Sequence, residues 1–375
     1  MKRLWAIIFS FTVLPAFGQL NNLAFENRMT LEPADSNKLF LGLNFLGFGR
    51  NNEYFDTMID GYTLFGYQLN PYLSYHIGKN VRIDAGLYLQ KDFGNEEYST
   101  TAPTLSLKIR KNDFRFIFGT LEGGLNHRLI EPLYDFEKVL NNRLENGIQL
   151  QWINQPNRLF LDVWADWQQM IYLNDSDQEK FTAGLSFCKG LWQLGNTTFE
   201  VPIQLLISHQ GGQIDNNPDP VTELMNSAAG LHVIHTSPSW LKEMGMKGYA
   251  VSYSDRSSIL RQRFNSGSGV YLNSYVTSSW GLTLMISYWN GNKFMTPAGA
   301  GIFPSANEFY PTREDQRREL VMLRFLYDLN ITEGLDLTLR AEPFYDTYSG
   351  SVQYSYGFYF NFYNRFFLLH AKQSR

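Results

Sequence analysis

Six histidines, a single cysteine and 36 acidic residues are what this 375-residue chain offers for acid–base, nucleophilic or metal chemistry. Their spacing brings few of them together. His232 and His235 are three apart, which on a strand points them to opposite faces, so they cannot share a metal without a bulge. Ser208 directly precedes His209, and the residue two further on is Gly211. Neighbours on a strand point opposite ways, so the nucleophile–base pair that acyl transfer needs is missing. Asp162 and Asp166 share a face but stand about 13 Å apart along a strand, far for paired carboxylates. His76, His127 and His370 are isolated in sequence. Cys188 alone can form neither an internal disulfide nor a Cys-based zinc site. No catalytic residue, metal or cofactor is expected.

The elements that must position these side chains alternate with a period of two. Val81, Ile83, Ala85, Leu87 and Leu89 share one face, and Arg82, Asp84, Gly86, Tyr88 and Gln90 the other. That is the pattern of a strand between two different environments. It recurs over 105–118, 148–152, 159–168, 181–188, 199–207, 321–329, 335–340 and 354–362. Each run offers roughly 9–12 residues, the length that crosses a bilayer at about 45° tilt, where soluble strands average about 5–6.

Composition closes other doors. Aromatics make up 16% of the chain, too many for disorder. A net charge of −4 leaves no electrostatic footprint for nucleic acid. Beyond the first twenty residues there is no apolar run of the roughly 18 residues that a membrane helix needs. The start itself reads as an address: Met1-Lys2-Arg3 is basic, Leu4 to Leu14 is apolar, and Ala16 and Gly18 are small. Residues 1–18 are therefore expected to be a cleaved secretory signal, and in the exported chain Cys188 is expected to be shielded.

Short turns are expected at 77–80, 111–113, 154–157, 278–281 and 330–334, alternating with longer polar links at 49–61, 93–101, 123–147, 172–179, 211–221, 257–267 and 292–316. Short turns at one end and long loops at the other match a transmembrane antiparallel up-and-down β-barrel. The class is all-β, with about sixteen strands, fourteen to eighteen being compatible with the pattern. Residues 19–37 read as a periplasmic tail or an extra strand, and 38–375 as one barrel domain. Trp152, Trp164, Trp167, Trp192, Trp280, Trp289 and Tyr327 crowd strand ends, as interfacial girdles would.

The leader, the dyad repeats and the loop asymmetry span the whole mature chain, and together they resemble the porin-like outer-membrane β-barrels of Gram-negative envelopes. The resemblance implies an outer-membrane location among lipid and lipopolysaccharide, and a homo-oligomer is compatible with it. One departure is the end, His370-Ala371-Lys372-Gln373-Ser374-Arg375, where such barrels often finish on an aromatic residue. Either Phe362 or Phe367 is expected to close the last strand before a short tail, or the assembly signal is atypical. The outer-membrane phospholipase A family places a histidine and a serine two residues apart on the lipid face, and Gly211 stands where that serine would be.

By parity, the lumen receives Arg82, Lys108, Arg110, Arg115, Arg324 and Arg340 with Asp84, Asp162, Asp166, Glu200, Asp328 and Glu342. Such residues line water and set ion selectivity, or brace a plugged interior. The segment 123–147 is the most individual. Pro132 suits the first turn of a helix, which would put Leu133, Phe136, Val139 and Leu140 on one face. Folded into the mouth it would form a constriction with His127, Arg128, Glu131, Tyr134 and Asp135. The expected function is a non-enzymatic channel for passive diffusion of small hydrophilic solutes. The alternative is a non-conducting barrel acting through its loops in polysaccharide attachment, adhesion or secretion. There, Phe294, Phe303, Phe309 and Tyr310 in the 292–316 loop would meet a surface polysaccharide or a protein. A lipid-modifying enzyme is a minor third reading.

Overall fold

The computed structural model describes residues 22–26, 31–55, 58–173, 175–212, 214, 216–307, 310 and 312–370. The expected leader, the tail 371–375 and Phe309 lie outside them. Sixteen strands form among the described residues: β1 (Lys38–Glu53), β2 (Tyr62–Ile77), β3 (Val81–Asp92), β4 (Thr100–Lys111), β5 (Phe114–Thr120), β6 (Asn146–Asn154), β7 (Leu159–Gln169), β8 (Lys180–Leu194), β9 (Thr197–Gln210), β10 (Thr222–Thr236), β11 (Leu241–Asp255), β12 (Ser266–Ser278), β13 (Leu282–Asn292), β14 (Arg317–Thr332), β15 (Leu335–Asp346) and β16 (Ser351–His370). Each pairs antiparallel with its neighbours in sequence, and β1 pairs with β16 from Lys38↔His370 to Glu53↔Tyr354, closing the barrel. Closure matters physically, because an open edge would leave backbone N–H and C=O groups unpaired in hydrocarbon.

Turns of two to four residues follow the even-numbered strands, and the longer loops follow the odd ones except β15, which a four-residue turn at 347–350 joins to β16. By the usual rule the short turns face the periplasm. The outer wall carries the apolar face, including Leu105, Phe118, Ile148, Leu323 and Phe358. Stacked aromatic pairs stand near the periplasmic turns, Phe114–Trp152, Trp192–Phe199 and Trp240–Trp280. Trp167–Phe181 stands near the opposite rim.

Four expectations need correction. Trp164 and Trp289 are not girdle residues: both are buried on the lumen face. Each fits there because a neighbouring strand offers glycine. A Cβ on Gly184 would lie 2.5 Å from Trp164, and one on Gly269 2.5 Å from Trp289. The link expected from Gly49 begins only after Glu53, so Arg50 and Asn52 belong to the wall. No helix starts at Pro132. The only α-helical turn of this loop is α1 (Lys138–Asn141), because Asp135 gives its backbone N–H to Ala298 O of another loop, 2.9 Å away. The last strand closes on neither Phe362 nor Phe367, but runs through both to His370.

Residues 23–25 and 33–35 are 3-10 turns and add no strand to the barrel. The first is drawn into the lumen, where the Phe25 ring packs edge-on to Phe136 and Tyr359 at 5.2 and 5.1 Å.

Parity can be tested at a single residue. Leu323→Arg, on the lipid face near mid-strand, is expected to cost about 2–4 kcal/mol of barrel stability. Urea unfolding in lipid vesicles would measure this, and a cost near zero would place Leu323 elsewhere.

Candidate functional site

β5 and β6, seven and nine residues long, are the shortest strands of the wall, and the loop 121–145 between them turns inward. Leu133 and Leu140 are fully buried, with Leu129, Ile130, Phe136 and Val139 nearly so. Phe136, Val139 and Leu140 pack with Phe25, Leu46, Phe48 and Tyr359, while Leu129, Ile130 and Leu133 pack on an apolar seat made by lumen-facing residues, among them Leu206, Tyr249, Tyr271, Trp289, Leu320, Met322 and Phe344. The loop 293–316 covers them, with Phe294 and Phe303 buried against Trp289 at ring separations of 4.9 and 5.3 Å. The two loops are stitched together where Ala300 N–H donates to Glu131 O, 3.0 Å.

Ion pairs fix the inward loop to the wall. Arg50 on β1 reaches Glu137 at 2.8 Å and Glu342 at 3.0 Å. Arg324 on β14 reaches Glu342 at 3.2 Å and pairs with Glu131. Tyr271 OH donates to Glu131 at 2.9 Å, and the Tyr62 hydroxyl donates to Glu137. Glu342 thus bridges two guanidiniums, each of which holds one loop carboxylate. Arg340 lies 4.1 Å over the Phe136 ring and 4.8 Å over that of Phe25, and donates to Asn22 at 2.6 Å.

A second lock centres on His127. Its Nδ1 lies 2.7 Å from Asp162 and its Nε2 2.6 Å from Glu145, and the ring stacks on Trp164 at 4.0 Å. Only an imidazolium donates from both nitrogens. Burial alone would push its pKa down, but Glu145 and Asp162 lift it to about 10. Tyr134 OH also donates to Glu145. Arg128, in the left-handed region at φ 58°, lies 4.3 Å over the Phe160 ring.

The remaining expected wall residues are largely paired off around the barrel. Arg82 pairs with Asp84 at 2.6 Å and Lys108 with Glu122 at 3.1 Å. Asp166 accepts from Asn146 N–H at 2.8 Å, and Asp328 from the Thr338 hydroxyl at 2.7 Å. Arg110 and Arg115 face each other across β4–β5, half-buried beside a short turn. Glu200 groups with Cys188 and His232 across β8–β10. The cavities left inside are small. One of about 100 Å³ lies beside Phe25, Gln68, Glu122 and Arg143, and one of about 40 Å³ beside Arg50, Glu131, Arg324 and Glu342. A third, of about 20 Å³, lies beside Leu129, Tyr271 and Lys247.

A family model of the lipid A 3'-O-deacylase type matches residues 31–371. The chain belongs to that family. No curated protein matches the chain. Among solved structures it is similar to Pseudomonas aeruginosa OprD, at 11% identity and TM-score 0.50, covering 90% of this chain and 99% of that one. It is also similar to P. aeruginosa OccK2 (OpdF), solved in complex with glucuronate, at 10% identity and TM-score 0.51, covering 89% and 99%. These likenesses establish the porin-type outer-membrane barrel as the fold.

Sequence parity missed Arg50, Glu122, Glu137, Glu145 and Tyr271. Arg50 was hidden by a strand end read as loop, and the carboxylates by partners far away in the chain. The lock has a pH dependence of definite sign. Desolvation, then the neighbouring Glu137, push Asp135 up to about 7, against Arg50, Lys138 and the Glu137 N–H. Glu131 is likewise raised by desolvation, despite Arg324. A free Asp titrates near 3.9 and a free His near 6.5. The docked loop therefore holds extra protons, and docking weakens as pH rises through about 7 and again through about 10. Glu145, desolvated but held down by His127, acts in the opposite sense only in acid. Limited proteolysis within 121–145, normalised to cleavage in 256–265, is expected to quicken from pH 6 to pH 9. His127→Gln, which leaves two buried carboxylates without their cation, is expected to weaken docking by about 3–5 kcal/mol. A flat pH profile would contradict the assignment.

Proposed function

We propose that the protein is a diffusion channel for small hydrophilic solutes whose passage is governed by the loop 121–145, held shut in the conformation described. The observation that carries this reading is the division of the lumen. The wall presents charged and polar side chains around its circumference, while the described residues that fill the bore belong to the loop 121–145, tied back by Arg50, Arg324 and Asp162, to the loop 293–316 packed on it and to the 22–26 turn beneath it. A loop can swing aside without breaking the barrel, whereas a core residue cannot. Porin-type barrels of this strand number commonly enclose an aqueous channel.

The bore meets a passing solute with arginines and carboxylates in near balance, which suits weak selectivity. Carboxylate solutes would compete with Glu131 and Glu137 for Arg324 and Arg50. Hexuronates, of the kind bound in the OccK2 complex, are the first class to screen.

The family's name gives a second reading, hydrolysis of an acyl ester of lipid A. We infer that this chain does not perform it. His209, on the outer face near the extracellular rim, pairs its Nε2 with Gly211 O at 2.8 Å and stacks on Phe181 at 4.8 Å. His127 and His232 are buried inside the barrel.

Planar-bilayer recordings separate these readings. The refolded protein is expected to give rare, small steps, and replacing 126–142 with a short Gly-Ser linker to give larger and frequent ones. A folded linker variant that stays as silent as the parent would reject the channel. Lipid A from cells producing the protein is expected to keep its mass, and loss of one acyl chain would instead establish the esterase.

A further inference from the structure

Cys188, Glu200 and His232 lie on β8, β9 and β10, three consecutive strands, and all three face the lumen near the short periplasmic turns at 195–196 and 237–240. One donor atom from each, a sulfur, a carboxylate oxygen and an imidazole nitrogen, lies within 4.8 Å of the other two. Register explains the meeting: Glu200 stands opposite Gly190 on one side and His232 on the other, and Cys188 is two residues along from Gly190.

The separations are informative. Cys188 Sγ is 3.6 Å and His232 Nδ1 3.5 Å from Glu200 Oε2. The second is long for a hydrogen bond, and His232 Nδ1, 1% exposed, has no hydrogen-bond partner. Zinc bonds sulfur at about 2.3 Å and nitrogen or oxygen at about 2.0–2.2 Å. The edges of such a tetrahedron are then about 3.3–3.6 Å, which the two separations from Glu200 match, and the third edge, Cys188 to His232, lies within 4.8 Å. The other ring nitrogen, Nε2, lies 2.7 Å from Tyr249 OH, the kind of outer contact that orients a metal-binding histidine and fixes its tautomer.

We propose that Cys188, Glu200 and His232 form a site for a divalent cation of zinc type, with Tyr249 as the positioning residue. On binding, the Cys188 thiol gives its proton to solvent and the thiolate takes the metal, as metal uptake by thiols requires. Thiolate and carboxylate together neutralise a dication, so the filled site is itself neutral, one positive charge more than the empty thiol and carboxylate. Lys247 on β11 stands opposite His232 in register and lies 4.3 Å over the Tyr275 ring. Its ammonium is the local competitor for the same anions.

The test uses the full-length refolded chain, kept reduced, titrated with Co2+ alone. The expected result is one bound ion with a thiolate-to-cobalt charge-transfer band and the visible bands of four-coordination. Cys188→Ser is expected to abolish the charge-transfer band. His232→Gln should weaken binding at least tenfold, Tyr249→Phe about 10–100-fold, and Lys247→Met should tighten it. His235→Ala, on the outer face, should change nothing. Heat-modifiable gel mobility reports folding of each variant independently. A folded parent without the band, or a band that survives both Cys188→Ser and His232→Gln, would overturn the site.

Discussion

A guanidinium cannot sit unpaired in a bore from which water has been displaced, and the interior of this barrel is arranged around that constraint. Arg50 and Arg324 rise from opposite flanks of the β16–β15 seam, and Glu342 between them holds both. One wall carboxylate cannot satisfy two guanidiniums, so each takes a second partner from the same loop, Glu137 and Glu131. Taking two charges out of water costs several kcal/mol per ion, which good pairing roughly offsets. Such a network adds little net stability while it stands. Breaking one partner exposes the whole penalty, so the network specifies where the loop must be.

The rest of the lumen follows from that placement. Once Glu131 and Glu137 are anchored, the apolar residues between and around them must find apolar cover. They find it in the lumen-facing aromatics of β11–β14 and in Phe25 below. Gly184 opposite Trp164 and Gly269 diagonal to Trp289 make room for the two indoles that floor this seat. His127 then falls between Asp162 and Glu145, and the loop is locked at both ends of its inward run. The outer wall has a simpler task. Lipid asks only for apolar side chains on alternate positions and a closed hydrogen-bond cylinder.

Much of this was legible in the sequence, because barrel strands obey a period of two that local reading detects. Strand number, loop asymmetry and the lumen parity of the charged residues all come from that period. Trp164 and Trp289 were misread because proximity to a strand end resembles a girdle position, and only the glycine across the sheet says otherwise. The helix expected at Pro132 failed because Asp135 N–H bonds to Ala298 O, 163 residues away in number, a competition no local pattern contains. The grouping of Cys188, Glu200 and His232 was invisible for the same reason. His232 was weighed against His235 on its own strand, whereas its neighbours come from β8 and β9.

The central claim is that the loop 121–145 is a folded, inward part of the molecule rather than a solvated link. Residue-resolved amide hydrogen exchange on the refolded protein addresses it directly. The account expects the amides of Leu133, Asp135 and Leu140, bonded to Ile130, Ala298 and Glu137 carbonyls at 2.8, 2.9 and 2.8 Å, to exchange orders of magnitude more slowly than those of the loop 256–265. Exchange at the same rate as that exposed loop would mean that the bore is not closed by this segment, and the account would fall.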